Sequence, residues 1–220
     1  MPSATFLALP DDKRARFVEA AVDTFASQPY DQASISQLVA RLGIAKGSVY
    51  QYFDDKFGLF SWLVEEGGRR RARVMAALPD DAGPFEQLRL AYRAGLRAWR
   101  AEPAWSRLGL RTLEPSVEPR LAALRTSLDR QTLDFLTGWL QAGQARGHVR
   151  ADLPLPSTAR FVQGVLQDGL LRAFLDALDT DLDGFVARAP ALTDAELEAA
   201  LGVADEAIAF LEATLAPRRG

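Results

Sequence analysis

The 220-residue sequence contains no cysteine and a single histidine. Without thiols the chain forms no disulfide, no thiolate metal site and no cysteine nucleophile, and one histidine cannot supply a histidine pair for a transition metal. His148 lies in a glycine-containing segment, and no G-x-S-x-G nucleophile elbow accompanies it. GIAKGS lacks the glycine spacing of a phosphate-binding P-loop. We therefore expect no metal, no cofactor and no enzymatic activity.

Long apolar runs and an excess of positive charge are also missing. No run approaches the roughly 20 apolar residues of a membrane span, and the first residues place apolar side chains before an acidic stretch, the reverse of a signal peptide. We expect a cytoplasmic protein without a membrane partner. The net charge is −3, and residues 1–78 carry ten Lys and Arg against nine Asp and Glu. Any binding to nucleic acid must then depend on a few placed groups rather than on a basic face.

Helical periodicity dominates the rest of the chain. Apolar residues recur at steps of three and four, whereas alternating strand patterns and repeats of 20 to 50 residues are missing. The longest pattern covers 117–145, with Val117 and Phe135 in its apolar stripe, and another covers about 156–178. The aspartate-rich segment DTDLDG that follows is predicted to be a loop. The predicted fold class is all-α.

Residues 34–60 carry the most informative pattern. Ser34 and Gln37 have the spacing of a capping box at the start of a helix. Gly43 stands where that helix needs a left-handed residue to end, and a second short helix is predicted over 46–52, with Val49 pointing back toward the first. Two short helices joined by a glycine turn form a helix-turn-helix, whose second helix fits the major groove of DNA.

The same segment resembles the DNA-binding region of the TetR family of bacterial transcriptional regulators. The match extends over roughly residues 12–64 and departs from the family pattern in three ways. Val39 and Leu42 are bulky where the family usually has alanine, and Ala45 and Pro29 replace the usual serine and glycine. The matching residues are Ala20, Ala21, Phe25, Tyr30, Gly43, Lys46, Gly47, Ser48, Val49, Tyr50, Tyr52, Phe53, Lys56, Leu59 and Phe60.

This resemblance implies a two-part architecture. Residues 1–56 form an N-terminal three-helix, helix-turn-helix DNA-binding domain, and residues 57–220 form a larger C-terminal helical domain for effector binding and dimerisation. The expected partners are a double-stranded DNA operator, a small apolar effector and a second copy of the chain, paired through the last two long helices. Small residues on those helices, such as Gly164 and Ala204, suit close helix approach.

Nine residues map onto the family's DNA-binding positions. By the resemblance, residues at the start of the second helix approach base edges, and Gln51 has the side chain for a bidentate contact to adenine. The hydroxyls of Tyr50 and Tyr52 suit phosphate oxygens, although either ring could instead pack in the core, Tyr50 more readily than Tyr52. The full set is Ser34, Ser36, Lys46, Gly47, Ser48, Tyr50, Gln51, Tyr52 and Lys56.

The C-terminal region supplies large apolar and a few polar side chains for an effector pocket. The alternative for each of these residues is an ordinary place in the core. The candidate ligand-binding set is Trp99, Trp105, Arg111, Phe135, Trp139, Phe161, Gln163 and Asp168.

Gly67 and Gly68 are adjacent inside the helix that joins the two predicted domains. Two glycines inside a helix cost roughly 1 to 2 kcal/mol relative to alanine. They form a hinge for the DNA-reading domain, or allow close packing against a neighbour, or are tolerated at an exposed site.

The sequence as a whole predicts a ligand-responsive repressor that binds a palindromic operator as a dimer. The alternative is a helical adaptor whose helix-turn-helix does not read DNA.

Overall fold

The computed structural model describes residues 1–77 and 83–217. Within those residues the chain contains helices, turns and no strand, which confirms the all-α prediction. The helices are α1 Ala4–Leu7, α2 Asp11–Ala26, α3 Ile35–Leu42, α4 Lys46–Tyr52, α5 Lys56–Ala76, α6 Pro84–Ala101, α7 Pro103–Leu110, α8 Pro119–Ala145, α9 Leu155–Gly164, α10 Leu170–Ala177, α11 Leu182–Arg188 and α12 Asp194–Leu215.

By contact the chain divides into two compact units. The first unit comprises Met1–Ala72 and Glu102–Thr126, and the second comprises Arg73–Ala101 and Ser127–Gly220. Helices α5 and α8 therefore each contribute residues to both units. This division follows contacts, whereas the boundary predicted at residue 56 follows function, and that boundary stays a prediction.

The first unit has an aromatic core. One ring cluster surrounds Phe6, and a second joins Phe25, Tyr30 and Phe60, with centroids 5.0 to 6.2 Å apart. Edge-to-face and tilted contacts dominate both clusters, the geometry that aromatic quadrupoles prefer. The rings around Phe6 are Phe17, Tyr52, Phe53 and Trp62.

The second unit has an aliphatic core in two clusters. Both include residues of α12, which is buried along one face from Leu197 to Leu215. Beside this core, arginines of α6 form a ladder of ion pairs with acidic residues of α12. Arg93 pairs with Glu198 and with Asp205, the latter at 2.8 Å, and Arg100 pairs with Asp194 at 2.7 Å. Arg89 and Arg97 complete the ladder through Asp205, Glu212 and Glu198.

Two helices were not expected from the sequence. Helix α1 begins after the N-cap Ser3, whose hydroxyl accepts from the amide of Phe6. Helix α11 begins inside the aspartate-rich segment predicted as a loop, because Asp181 caps it by accepting from the amide of Gly184. A short polar residue that favours a turn is equally suited to begin a helix.

The long helical patterns differ from expectation in detail. Val117 precedes α8 and is 90% exposed, and Phe135 within α8 is 56% exposed, so the apolar stripe predicted over 117–145 is not buried along its whole length. The helix predicted over 156–178 is interrupted by one π-helical turn at Val165–Gly169, which separates α9 from α10. Such a turn inserts one extra residue into the helical ladder.

The glycine pair of α5 occupies two different environments. A Cβ atom on Gly67 would lie 3.6 Å from the ring of Trp105, whereas one on Gly68 would meet nothing within 4 Å. The ring of Trp105 is also covered by the guanidinium of Arg70, 4.2 Å from its centroid. At 3.6 Å an added Cβ would make ordinary van der Waals contact, so packing requires glycine at neither position, and the hinge remains a hypothesis.

Candidate nucleic-acid interface

The N-terminus of α3 carries the predicted capping box. The hydroxyl of Ser34 accepts from the amide of Gln37, and the side chain of Gln37 accepts from the amide of Ser34 at 2.8 Å. The hydroxyl of Ser34 is thus already engaged, whereas Ser36 in the first turn of α3 is exposed. The remaining free amides at this helix end suit a phosphate oxygen.

The turn between α3 and α4 is built on Gly43. Its φ of 68° is left-handed, and its amide donates to the carbonyl of Val39. Val39 and Leu42 are both half-buried, so these side chains reach the rim of the helix pair rather than its centre. Their bulk is accommodated without disturbing the buried Leu38 and Val49. Ala45 makes no side-chain cap, as expected for alanine at this position.

Helix α4 has one buried face and one polar, exposed face. Val49 at 1% exposure and the following Phe53 at 2% fix the helix against the first unit's core. Lys46, Gly47 and Gln51 are exposed, and Ser48 is half-buried. A Cβ on Gly47 would meet nothing within 4 Å, so the backbone there is open to close approach. The exposed face presents an ammonium, an amide and bare backbone, groups that suit base edges and phosphates.

The exposure of the two tyrosines of α4 is the reverse of what the sequence favoured. Tyr50 is 48% exposed, whereas the ring of Tyr52 is half-buried against Phe6 and Phe17, with centroids 5.7 and 5.5 Å away. Phe6 lies 46 positions upstream, on a helix that the sequence did not predict. Tyr50 therefore carries its phenol on the open face, and Tyr52 has its ring in the core.

Lys56, at the start of α5, is engaged within the protein. Its Nζ donates to the carbonyls of Tyr30 at 2.9 Å and Ala33 at 3.0 Å, and it lies 4.1 Å from the centre of the Tyr30 ring. Burial lowers the pKa of Lys56. Two of its three N–H groups are thereby used to fix the turn before α3, a role that the sequence did not indicate.

That turn is also held by two residues that precede α8. Asp31 accepts from the Ser116 hydroxyl at 2.6 Å and from the Val117 amide at 3.0 Å, and these hydrogen bonds, the Ser116 one first, lower the pKa of Asp31. Arg120 pairs with Asp55 at 2.7 Å. Residues so far apart in the sequence give no local signal, so sequence reasoning missed these contacts.

The candidate effector residues fall into both units. Trp105 and Arg111 belong to the first unit, where the buried Arg111 donates to the carbonyl of Ala26 at the end of α2 and pairs with Glu114. The guanidinium of Arg111 is thus used to hold a helix end. The other six candidates belong to the second unit: Trp99, Phe135, Trp139, Phe161, Gln163 and Asp168.

Those six lie in different surroundings. Trp139 packs against Phe85 in one apolar cluster, and Trp99 packs against the other, near Phe174. The amide of Gln163 is buried and donates to Asp129 at 2.7 Å. The remaining three are at the surface: Phe135 is 56% and Phe161 75% exposed, and Asp168 is exposed in the π-helical turn. Their assignment to a pocket stays a prediction.

Over 1–77 and 83–217, no helix has the length and apolarity to cross a bilayer. The same residues include no group of three or more His, Cys, Asp or Glu side chains arranged to hold a metal ion.

Comparison with known proteins agrees with this geometry. Residues 17–62 match the model of the family described as bacterial regulatory proteins, tetR family. These residues include α3, α4 and the beginning of α5, together with most of α2.

Relatives extend the similarity beyond the helix-turn-helix. The chain is 28% identical over 170 residues, 77% of this chain and 84% of the relative, to the HTH-type transcriptional repressor AcnR of Corynebacterium diphtheriae. It is 25% identical over 182 residues, 80% of this chain and 81% of the relative, to the HTH-type transcriptional repressor Rv1474c of Mycobacterium tuberculosis.

Solved structures share the fold. A TetR family transcriptional regulator from Chloroflexus aurantiacus superposes with a TM-score of 0.73 at 24% identity, covering 99% of this chain and 100% of that one. The regulator FadR from Bacillus subtilis, solved in complex with stearoyl-CoA, superposes with a TM-score of 0.62 at 20% identity, covering 86% and 98%.

Proposed function

The chain belongs to the tetR family of bacterial regulatory proteins, and from this premise we propose that this DNA-binding transcriptional regulator is a repressor. It binds a palindromic operator as a dimer in the cytoplasm, and a small apolar effector releases it. The observation that carries the proposal is the polar, exposed face of α4 above a tightly packed aromatic core.

Within that proposal the exposed residues of α4 divide by chemistry. Gln51 reads a base edge through its amide, and Lys46 and Tyr50 contact phosphates or bases nearby. Gly47 and Ser48 let the backbone approach, and Ser34 and Ser36 place the N-terminus of α3 at a phosphate. Lys56 and Tyr52 act chiefly by fixing the backbone and the core next to α4. One N–H of Lys56 and the hydroxyl of Tyr52 can still contact a phosphate.

The first experiment selects bound fragments from the source genome with the wild-type protein. The recovered site is then used in gel shifts with Lys46→Ala, Tyr50→Ala and Gln51→Ala. Arg146→Ala, which removes an exposed positive charge from the second unit, serves as the matched control. We expect a palindromic site whose binding falls about tenfold or more in each α4 variant and is unchanged in the control. Failure to enrich any fragment would favour the helical adaptor instead.

The dimer is proposed to form through the α9–α10 segment and α12. Val162 of α9 and Ile208 and Leu211 of α12 are buried in one apolar cluster, whereas the neighbouring Phe161 and Phe210 are 75% and 61% exposed. Exposed phenylalanines on adjacent helices are typical of a surface covered by a partner.

The dimer is tested by sedimentation equilibrium of Phe161→Asp and Phe210→Asp. The control is Phe135→Asp, which changes a ring on α8 that is 56% exposed. We expect the first two variants to be monomeric and the control to be dimeric. A dimer that survives both substitutions would place the interface elsewhere.

The effector is proposed to be small and largely apolar, bound among the aromatic residues of the second unit with Trp99 and Trp139 near it. The structural relative crystallised with stearoyl-CoA supports testing acyl compounds first. Titration with decanoic acid and with decanoyl-CoA, followed by tryptophan fluorescence and by release of operator DNA, tests this. Release by either compound supports the proposal, and no fluorescence change with either would exclude medium-chain acyl effectors.

A further inference from the structure

The segment before α2 is attached directly to the end of the proposed recognition helix. The amide of Ser3 donates to the carbonyl of Tyr52 at 2.9 Å, and the hydroxyl of Ser3 donates to the carbonyl of Gln51 at 2.7 Å. Carbonyls in the last turn of a helix have no partner within the helix and need one from outside. Ser3 supplies two such partners at once.

The same hydroxyl also begins α1. It accepts from the amide of Phe6 at 3.2 Å, the usual N-cap hydrogen bond. One side-chain oxygen thus links the N-terminus of α1 to the C-terminus of α4, and its donor and acceptor functions are both used. Replacement of this hydroxyl would loosen both helix ends together.

Phe6 anchors α1 against the buried side of α4. Its side chain is fully buried, and its ring lies 5.0 Å from that of Phe53 and 5.7 Å from that of Tyr52. The segment after α1 is tied back to α2, because Arg14 donates to the carbonyls of Leu7 and Leu9 at 3.2 Å each. The segment is therefore held at both ends.

Helix α4 has few stabilising contacts of its own. It is seven residues long and has no side-chain cap at Ala45. A helix this short is marginal without tertiary support. Its buried side chains are Val49 and the C-cap Phe53, both on one side, so the direction of its last turn depends on what holds the carbonyls there.

We propose that residues 3–7 form a brace that sets the orientation of the recognition helix, with Ser3 and Phe6 as positioning residues for DNA reading. This rests on the proposed function, since Gln51 and Tyr50 are the groups whose placement the brace controls. The brace contacts the buried side of α4 and its C-terminus, and it leaves the exposed face of α4 free to enter the major groove of DNA.

The test compares Ser3→Ala with Ser3→Thr and with Ser27→Ala. Ser27→Ala is the matched control, because the Ser27 hydroxyl also donates to a carbonyl at a helix end, that of Thr24 in α2, without touching α4. Affinity for the selected site and for a scrambled duplex is measured, together with hydrogen exchange of the Tyr52 and Phe53 amides without DNA. For Ser3→Ala we expect about five- to tenfold weaker binding of the selected site and faster exchange, both restored by Ser3→Thr.

Other results overturn the brace. Unchanged affinity in Ser3→Ala shows that α4 is oriented without it. Weaker binding with unchanged exchange shows that Ser3 acts by touching DNA rather than by holding the helix. If the wild type itself binds no DNA, the proposed function fails, and the exchange measurement alone then decides whether Ser3 holds the end of α4.

Discussion

The two compact units are stabilised by different chemistry. In the first unit the largest buried side chains are rings in mutual contact, including Phe6, Phe53 and Phe60, whereas aliphatic residues and alanines dominate the two clusters of the second. Rings in edge-to-face contact have defined mutual orientations, while aliphatic clusters tolerate repacking more readily. The difference fits a rigid reading surface in one unit and an adaptable interior in the other.

The partners of the Arg and Lys side chains also differ between the two units. In the first unit, Arg111 and Lys56 donate to backbone carbonyls, of Ala26 and of Tyr30 and Ala33, so they fix the path of the chain itself. In the second unit, the arginines of α6 pair with carboxylates of α12 at the surface. Exposed pairs between long side chains contribute little each and adjust easily. We infer that backbone geometry is held most firmly around the surface that is proposed to read DNA.

The largest expected effect comes from removing one ring in each unit. Phe53→Ala and Phe174→Ala each delete a side chain with 2% exposure or less, and each should cost about 3 to 5 kcal/mol. If the units are separately stabilised, Phe53→Ala abolishes DNA binding and lowers amide protection mainly in α2 to α4. Hydrogen exchange resolved by peptide measures this. An equal loss of protection in α3 and α4 on Phe174→Ala would contradict the comparison.

A smaller loss is expected from Arg111→Met. The substitution keeps the length of the side chain but leaves the Ala26 carbonyl and the Glu114 carboxylate without their partner, at a cost of about 2 to 3 kcal/mol. Chemical denaturation measures the change, with Arg130→Met at an exposed position of α8 as the control. Stability equal to that of the control would mean that the buried guanidinium does not hold the end of α2.

A gain is expected from Ala45→Ser. Ala45 is the N-cap of α4 and has extended backbone angles without a side-chain hydrogen bond, so a hydroxyl there should add about 1 kcal/mol. Ala40→Ser, the same change at an exposed position inside α3, should instead lower stability slightly. Thermal melts of both variants measure the difference. A stability change of the same sign in both variants would show that the missing N-cap does not limit the stability of α4.

The smallest effect concerns the ladder between α6 and α12. The hydrogen bond from Arg97, with the charge of Arg93, holds the pKa of Glu198 below its ordinary value of 4.5. A lowered pKa in the folded state means that the stabilisation is present above about pH 4.5 and is lost as the pH falls through the folded value. Glu198→Gln should therefore melt slightly lower at pH 7 and show a shallower decline below pH 4.5. Identical pH profiles would show that the ladder contributes nothing.

The sequence predicted the helices whose ends carry local signals. The capping box at Ser34 and the left-handed Gly43 are both present in the structure. The π-helical turn at Val165–Gly169 and the short α1 and α11 were not predicted. A four-residue helix has too little periodicity to detect, and a π-helical turn depends on packing rather than on local residue preference.

The features of the site that depend on residues close together in the sequence were predictable. The polar face of α4 follows from spacing around Val49, and the structure leaves Lys46 and Gln51 exposed on it. The positions of Tyr50 and Tyr52 were misjudged because the ring that receives Tyr52 is Phe6, far away in the sequence. The effector residues were least predictable, since aromatic side chains at helical spacing serve a core and a pocket equally well.

One face of the first unit is proposed to read DNA. Hydrogen exchange of the wild-type protein, with and without its selected operator, tests it most directly. We expect the added protection to be greatest in residues 34–36 and 46–52 and weak along the arginines of α6. Protection concentrated on α6 and α12, or none within 46–52, would contradict it.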